Sequence, residues 1–209
     1  MSATSPAGRA AGDATRRLDR ARSLLLVVDI QERLAPHILH GERLIARTGA
    51  LLAAARRFGI PAIVTEHCPE QIGPVVAGLR RQFAADEIFA KTRFGATDHQ
   101  EFVARLAAHA RGQIVVAGME AHVCVLQTVL GLAAHGYAVT LVGDAAGSRA
   151  ARQDDRRFAL ARMRRAGAVI AGTETVLFEW TQAGDDAAFR DILALVKALP
   201  PADDGAAPA

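Results

Sequence analysis

Aromatic side chains are scarce in this chain, where phenylalanine, tryptophan and tyrosine together make up 5% of the 209 residues. Proteins that bind single-stranded nucleic acid use aromatic rings as stacking platforms, and such platforms are not expected here. The net charge is only +3, and the arginines are spread along helical patterns instead of forming one basic groove. We therefore expect no nucleic-acid partner.

Long apolar runs are also missing, because no stretch reaches the roughly 18 consecutive apolar residues that a membrane-spanning helix needs. The sequence thus predicts no membrane partner. Cysteine is rare as well, with two thiols at Cys68 and Cys124. Two cysteines make no disulfide framework, and this usage is typical of a reducing compartment, here predicted to be the cytoplasm.

Lysine is the rare basic residue, since only Lys91 and Lys197 are found among 25 basic side chains. The chain uses arginine almost everywhere else but has a lysine at position 91. A lysine offers a compact, titratable ammonium that a guanidinium cannot replace. Lys91 is therefore a candidate for a specific electrostatic role.

Short apolar runs alternate with amphipathic helical patterns along the chain. The runs predict strands, and the patterns between them predict helices. The predicted strands lie at 23–28, 62–65, 87–90, 113–117, 138–142 and 168–170, and the predicted helices at 42–58, 98–110, 123–135, 150–165 and 189–199. Strands that are apolar throughout are buried on both faces, as in a parallel sheet covered by helices.

These patterns predict a single α/β domain with three layers. The expected fold is a doubly wound sheet of about six mainly parallel strands with helices on both faces. The domain is expected to cover residues 22–199. The segments 1–21 and 200–209 lack apolar periodicity and are predicted to be mobile tails.

Three chemically useful residues stand at the predicted carboxyl ends of strands, where parallel sheets bind their ligands. Asp29 ends the first strand, Lys91 ends the third, and Cys124 follows the turn after the fourth. Taken singly, Asp29 could cap a turn together with Glu32, Lys91 could be a solvated charge, and Cys124 could be a small buried hydrophobe. Taken together, they supply a base, an electrostatic support and a nucleophile.

The turn before Cys124 predicts a nucleophile at the amino end of a helix. Unpaired backbone N–H groups and the helix dipole at that position are expected to favour the thiolate. Asp29 can take the thiol proton and return it to a leaving amine, while Lys91 holds the carboxylate and stabilises negative charge. Backbone N–H groups of the turn can bind the oxyanion of a tetrahedral intermediate.

The sequence resembles the isochorismatase-like cysteine hydrolases, which include nicotinamidases and N-carbamoylsarcosine amidase. The resemblance spans about residues 22–199 and rests on motifs at the right strands and in the right order. They are Leu26-Val27-Val28-Asp29-Ile30-Gln31, Ala90-Lys91-Thr92-Arg93-Phe94-Gly95, Gly118-Met119-Glu120-Ala121-His122-Val123-Cys124-Val125 and, late in the chain, Thr173-Glu174-Thr175-Val176-Leu177-Phe178.

The resemblance implies roles for named residues. Asp29, Lys91 and Cys124 form the catalytic triad, a cis peptide bond joins Met119 to Glu120, and the backbone amides of Glu120 and Cys124 form the oxyanion hole. By their position beside the triad, the residues expected to line a substrate pocket are Gln31, Phe94, Met119, His122 and Val123. Such a pocket is partly apolar and suits a small, neutral amide.

Metal-binding relatives carry an aspartate and two histidines in a tight cluster after the second strand. Here that region contains Glu66, His67 and Cys68 in succession, and three consecutive residues do not easily turn toward one ion. His37 and His40 have no third ligand nearby. The sequence therefore predicts no metal and no cofactor.

Three functions remain open at this point. The leading hypothesis is a metal-independent cysteine hydrolase that cleaves an amide-like C–N bond through a thioester. The second is vinyl-ether hydrolysis of the isochorismatase type, which uses Asp29 without covalent catalysis. The third is a thiol sensor or ligand-binding protein without turnover. The expected partners are a small-molecule substrate and further copies of the chain, in a homodimer or a larger homo-oligomer.

Overall fold

A computed structural model describes residues 16–201 of the chain. Within these residues, six strands form one parallel sheet in the order β3-β2-β1-β4-β5-β6. The direction of strand order reverses between β1 and β4, and open α/β sheets bind ligands at such a point. The strands are β1 (Ser23–Val28), β2 (Ala62–His67), β3 (Ile88–Lys91), β4 (Gln113–Met119), β5 (Ala138–Gly147) and β6 (Val169–Ala171).

Helices cover both faces of the sheet. They are α1 (Gly41–Arg57), α2 (Pro69–Ile72), α3 (Ala77–Arg80), α4 (Gln100–Ala108), α5 (Leu126–Ala134), α6 (Gln153–Arg165), α7 (Thr173–Thr181) and α8 (Phe189–Lys197). Short 3₁₀ turns lie at Ala35–His37, Ala85–Glu87, Ala96–Asp98 and Ala150–Arg152, and a π-helical turn at Ala121–Val125 leads into α5. The prediction of a three-layer, doubly wound α/β domain is confirmed.

Strand β1 shows why the sheet needs two covering layers. Its side chains alternate between two hydrophobic cores, so that Leu25 and Val27 join the core under α1, α7 and α8. Leu24, Leu26 and Val28 join the core under α4, α5 and α6. All these side chains are fully buried, and each contributes about 2 kcal/mol of hydrophobic free energy. No helix of residues 16–201 is both long and apolar enough to span a membrane.

The amino-terminal boundary differs from the prediction. Residues 16–21 were assigned to a mobile tail, but Leu18 is buried in the core and its backbone N–H donates to Glu179 Oε2 at 2.8 Å. The N–H of Asp19 donates to Gln113 Oε1 at 2.8 Å. One apolar side chain and a few hydrogen bonds fix this segment, among them the bond from Gln113 Nε2 to Arg17 O at 3.1 Å. These contacts are too sparse to show in a periodicity. Residues 1–15 and 202–209 of the predicted tails lie outside the described part of the chain.

Candidate active site

Asp29 follows β1 in a left-handed backbone conformation, with φ of 52°. Such a conformation costs an aspartate of order 1 kcal/mol and persists only where the surroundings enforce it. The Asp29 N–H donates to Thr65 O at 3.2 Å, and the Asp29 carbonyl accepts from Gln31 N–H at 2.9 Å. The carboxylate is fully buried, and Thr65 Oγ1 donates to its Oδ1 at 2.6 Å. Asp29 is therefore fixed in place and does not cap a helix.

Lys91 is the last residue of β3, and its ammonium is buried beside Asp29. Nζ lies 2.7 Å from Asp29 Oδ2, with no exposed side-chain surface on either residue. Nζ also donates to the carbonyl oxygens of Phe94 at 3.0 Å and Arg93 at 3.2 Å. An ammonium has three hydrogens, so the structure gives each of them an acceptor. A buried ion pair needs this kind of satisfaction to offset its desolvation, and Lys91 is not the solvated charge considered above.

Cys124 reaches this pair from a π-helical turn. Local π-helical turns are rare and occur often at functional sites. The turn places the buried Cys124 thiol close enough to Asp29 and Lys91 for both charges to act on it. The predicted helix with cysteine at its first turn is thus replaced by a π turn followed by α5. The Met119–Glu120 peptide bond just before the turn is cis.

Gly118 allows β4 to approach β1 at the site. Gly118 pairs with Val28, the residue before Asp29, and has a φ of 143°. A Cβ at this position would lie only 2.8 Å from the backbone nitrogen of Val28. Because any side chain would collide there, a glycine is required where the nucleophile turn meets the strand that carries Asp29.

The surroundings of Cys124 favour the neutral thiol, which differs from the expectation of a thiolate. Burial raises the pKa of Cys124 far above its ordinary value, and the neighbouring Asp29 carboxylate raises the pKa further. The Lys91 ammonium lowers the pKa but does not outweigh these two effects. The residue is 6% exposed, so loss of hydration dominates over the helix terminus. A nucleophilic Cys124 therefore needs a base at the moment of attack.

The backbone amide of Glu120 is predicted to bind the oxyanion, whereas the side chain of Glu120 binds Arg149. Its carboxylate accepts from Arg149 Nε at 2.9 Å and from the Arg149 N–H at 3.3 Å. The Glu120 carbonyl accepts from the N–H groups of Val123 and Val125. These contacts anchor the turn between the cis peptide and Cys124, so the carboxylate of Glu120 supports the turn.

Gln31 was expected to line a substrate pocket, but its amide is occupied. Oε1 accepts from the His67 N–H at 2.8 Å, and Nε2 donates to the carbonyl oxygens of His67 at 3.0 Å and Gly73 at 2.5 Å. The side chain has no exposed surface. Gln31 therefore ties the end of β2 and the following loop to the segment after Asp29, and it offers no free group to a substrate.

We expect the Gln31→Leu variant to lower the free energy of unfolding by about 2–4 kcal/mol, because it leaves buried backbone groups unpaired. Urea unfolding followed by circular dichroism measures this loss. Gln82→Leu is the matched control, since Gln82 is exposed and its amide donates to one carbonyl, that of Gly78. Equal and small effects of the two substitutions would contradict the role assigned to Gln31.

The other residues that were expected to line a pocket differ in how far they are buried. Met119 is fully buried in a hydrophobic core, and this differs from the expectation that it contacts a substrate. His122 is half-buried and its Nδ1 lies 2.9 Å from Ser148 Oγ, while Val123 packs against the core that contains Cys124. Phe94 is 48% exposed, and its place in a substrate pocket stays a prediction.

Thr65 and His67 are two site residues that the sequence analysis did not assign. Thr65 follows the apolar residues 62–64 of β2. A hydroxyl at the end of such an apolar run was the sequence signal that could have identified it as a site residue. His67 lies opposite Lys91 in the β2–β3 pairing, and its ring centroid is 5.1 Å from that of Phe94. Within residues 16–201, no three His, Cys, Asp or Glu side chains come close enough together to hold a metal ion.

A buried carboxylate, ammonium and thiol at the switch point of a parallel sheet define the class of this protein as an α/β protein with an Asp–Lys–Cys site. The family model described as the isochorismatase domain matches residues 23–175. The chain belongs to the isochorismatase family of hydrolases. It is 33% identical over 184 residues to isochorismatase domain-containing protein 1 of Danio rerio, covering 88% of this chain but only 64% of that relative's length.

Solved structures share this fold. The MAR1 ribonuclease of Caenorhabditis elegans superposes with a TM-score of 0.84 at 33% identity, over 93% of this chain and 98% of that one. YcaC of Escherichia coli, described as an octameric hydrolase of unknown specificity, gives 0.78 at 28% identity over 88% of each chain. YcaC of Pseudomonas aeruginosa, solved with hexane-2,5-diol and covalent acrylamide, gives 0.79 at 29% identity over 86% and 91%.

Proposed function

We propose that this chain is a metal-independent cysteine hydrolase that cleaves the C–N bond of a small neutral amide through a thioester on Cys124. One observation carries the proposal. The buried Asp29 carboxylate is paired with a lysine ammonium at 2.7 Å, and both charges act on the thiol of Cys124. A protonated thiol beside a fixed carboxylate is the pair that general-base activation of a nucleophile requires.

These positions support a two-step reaction. Sγ attacks the amide carbonyl while its proton passes to Asp29, and the oxyanion is held by the predicted amides of Glu120 and Cys124. The C–N bond breaks as Asp29 returns the proton to the leaving nitrogen, which departs as an amine or ammonia. Water then attacks the thioester with Asp29 as base, releasing a carboxylic acid and the thiol. Lys91 keeps its charge throughout and orients Asp29.

The burial of the site supports a small substrate. Asp29, Lys91 and Cys124 have exposed fractions of 0%, 2% and 6%, so a long polymer has little access to the thiol. A cavity of about 680 Å³ is lined by Leu18, Asp19 and Gln113. Gln113 is the first residue of β4, so this cavity lies at the amino ends of the strands, whereas Cys124 follows the carboxyl end of β4. That cavity is remote from the thiol and takes no part in the proposed reaction.

A panel of small primary amides, combined with intact-protein mass spectrometry, tests the proposal. We expect release of ammonia and a mass increase on the Cys124 peptide equal to the acyl group. Isochorismate and RNA are included, because ether hydrolysis is the alternative and the C. elegans protein is named a ribonuclease. Turnover of either compound without acylation of Cys124, and none of any amide, would overturn the proposal.

We also propose that the chain forms a homodimer or a larger homo-oligomer. The octameric relative supports this, and so does Phe158 on α6, whose ring is 68% exposed. We expect light scattering at micromolar concentration to give at least twice the chain mass of 22.1 kDa. Phe158→Arg should lower that mass more than Phe158→Leu, which keeps an apolar side chain. A monomeric mass for the unaltered chain would contradict the proposal.

A further inference from the structure

The imidazole of His67 holds a buried polar atom that the proposed reaction does not use. Its Nδ1 has almost no accessible surface and, among the described residues, no hydrogen-bond partner. Buried nitrogen atoms in native proteins are nearly always paired, and each exception needs an explanation. An unpaired nitrogen beside a catalytic centre is well placed to be completed by a ligand.

The backbone of His67 is fixed, so the ring cannot easily move away. The Gln31 amide bonds both its N–H and its carbonyl, and the residue is paired with Lys91 in the sheet. The charges of Lys91 and Asp29 both act on the ring, which places the imidazole close to the ion pair. The more exposed Phe94 ring lies against it at 5.1 Å.

The surroundings of the ring favour its neutral form. Burial lowers the pKa of His67 below its ordinary value of 6.5, and the Lys91 ammonium lowers the pKa further. The Asp29 carboxylate and a hydrogen bond to the Arg93 backbone act in the opposite direction without outweighing them. A neutral imidazole carries one N–H and one lone pair. Because Nδ1 has no partner, we assign the N–H that faces Arg93 to Nε2 and the lone pair to Nδ1.

We propose that His67 is a specificity residue whose Nδ1 accepts a hydrogen bond from the N–H of the substrate's scissile amide. This inference rests on the proposed function and narrows its substrate class to primary and secondary amides. The carbonyl oxygen of the substrate is directed to backbone N–H groups, which leaves the amide nitrogen to find an acceptor. Phe94, half exposed, is displaced from the ring by the apolar part of the substrate.

Paired substrates test this assignment. For a primary amide that the enzyme hydrolyses, we expect His67→Leu to lower kcat/KM about tenfold, as for one lost hydrogen bond. For the methyl ester of the same acid, which has no N–H, kcat/KM should change less than twofold. His67→Asn provides an acceptor oxygen near the position of Nδ1 and should recover most of the loss. Equal losses for amide and ester would overturn the proposal.

His99→Leu is the matched control for disturbance of the loop, because His99 Nε2 accepts from the Arg93 N–H at 3.2 Å. It alters the same segment but leaves His67 Nδ1 untouched. We expect the amide-to-ester ratio of this variant to equal that of the unaltered enzyme. A change in the ratio as large as that of His67→Leu would assign the effect to the loop and overturn the role of His67.

Binding to Cys124→Ala separates this inference from the proposed mechanism, because binding needs no turnover. Calorimetry with propionamide and with methyl propionate should show about tenfold weaker amide binding after His67→Leu is added, and unchanged ester binding. If the amide panel gives no thioester but this difference persists, the covalent mechanism fails while His67 keeps its role. No difference between the two ligands would overturn the role of His67.

Discussion

Replacing Cys124 with alanine is expected to lower kcat/KM for a small amide by at least about 10⁴, the loss seen when one member of a catalytic triad is removed. The substitution deletes one buried sulfur atom and leaves Asp29 and Lys91 paired at 2.7 Å. The fold should therefore survive, with a change in unfolding free energy of about 1 kcal/mol. Cys124→Ser should lose nearly as much activity, because a hydroxyl is far harder to ionise than a thiol.

Steady-state kinetics on purified variants measure this loss, and urea unfolding verifies that the fold is intact. Cys68→Ala is the matched control. It removes the other thiol of the chain, which lies in a loop with intermediate exposure, and it should keep its activity. Chelators should not change the activity of any variant. Undiminished amidase activity in Cys124→Ala would exclude covalent catalysis through this thiol.

The fold could be predicted because strands that are buried on both faces are apolar in nearly every position, and this pattern is visible in the sequence. Residues 23–28 and 113–117 are apolar in nearly every position, and only a covered parallel sheet accepts such runs. The strand order was not predictable, because it depends on which runs pair across the sheet. Thr173–Thr181 was not predicted as a helix, although its first residues were matched to the family. The Thr173 N–H at its N-terminus donates to the Asp144 carboxylate at 2.8 Å. This contact could not be predicted from the sequence around Thr173.

The site could be predicted only in part, for a physical reason. Asp29, Lys91 and Cys124 were predicted to lie together because each stands at the end of a strand or in the turn after it, and the carboxyl ends of parallel strands lie on one side of the sheet. The raised pKa of the Cys124 thiol was missed because burial depends on residues far away in sequence. The same is true of Gln31, whose partners His67 and Gly73 lie 36 and 42 positions further along the chain. Local patterns carry no information about such contacts.

Lys91→Arg is the substitution that best separates a positioned ammonium from a surface charge. Both side chains carry one positive charge, and an exposed lysine would tolerate the change in a chain this rich in arginine. At position 91, however, all three ammonium hydrogens have acceptors within 3.2 Å, and the side chain is fully buried. A larger, planar guanidinium would displace either Asp29 or Cys124, so we expect kcat/KM to fall at least about 100-fold.

Two further variants complete this test. Lys197→Arg is the matched control, because Lys197 is exposed at the end of α8, and it should retain full activity. Asp29→Asn keeps the shape of the side chain but removes the base, so its kcat/KM should fall about 10³- to 10⁴-fold. Urea midpoints distinguish lost chemistry from lost folding. If Lys91→Arg kept kcat/KM within twofold of the unaltered enzyme, any positive charge at position 91 would be sufficient. Catalysis would then not depend on the positioned arrangement of Asp29, Lys91 and Cys124.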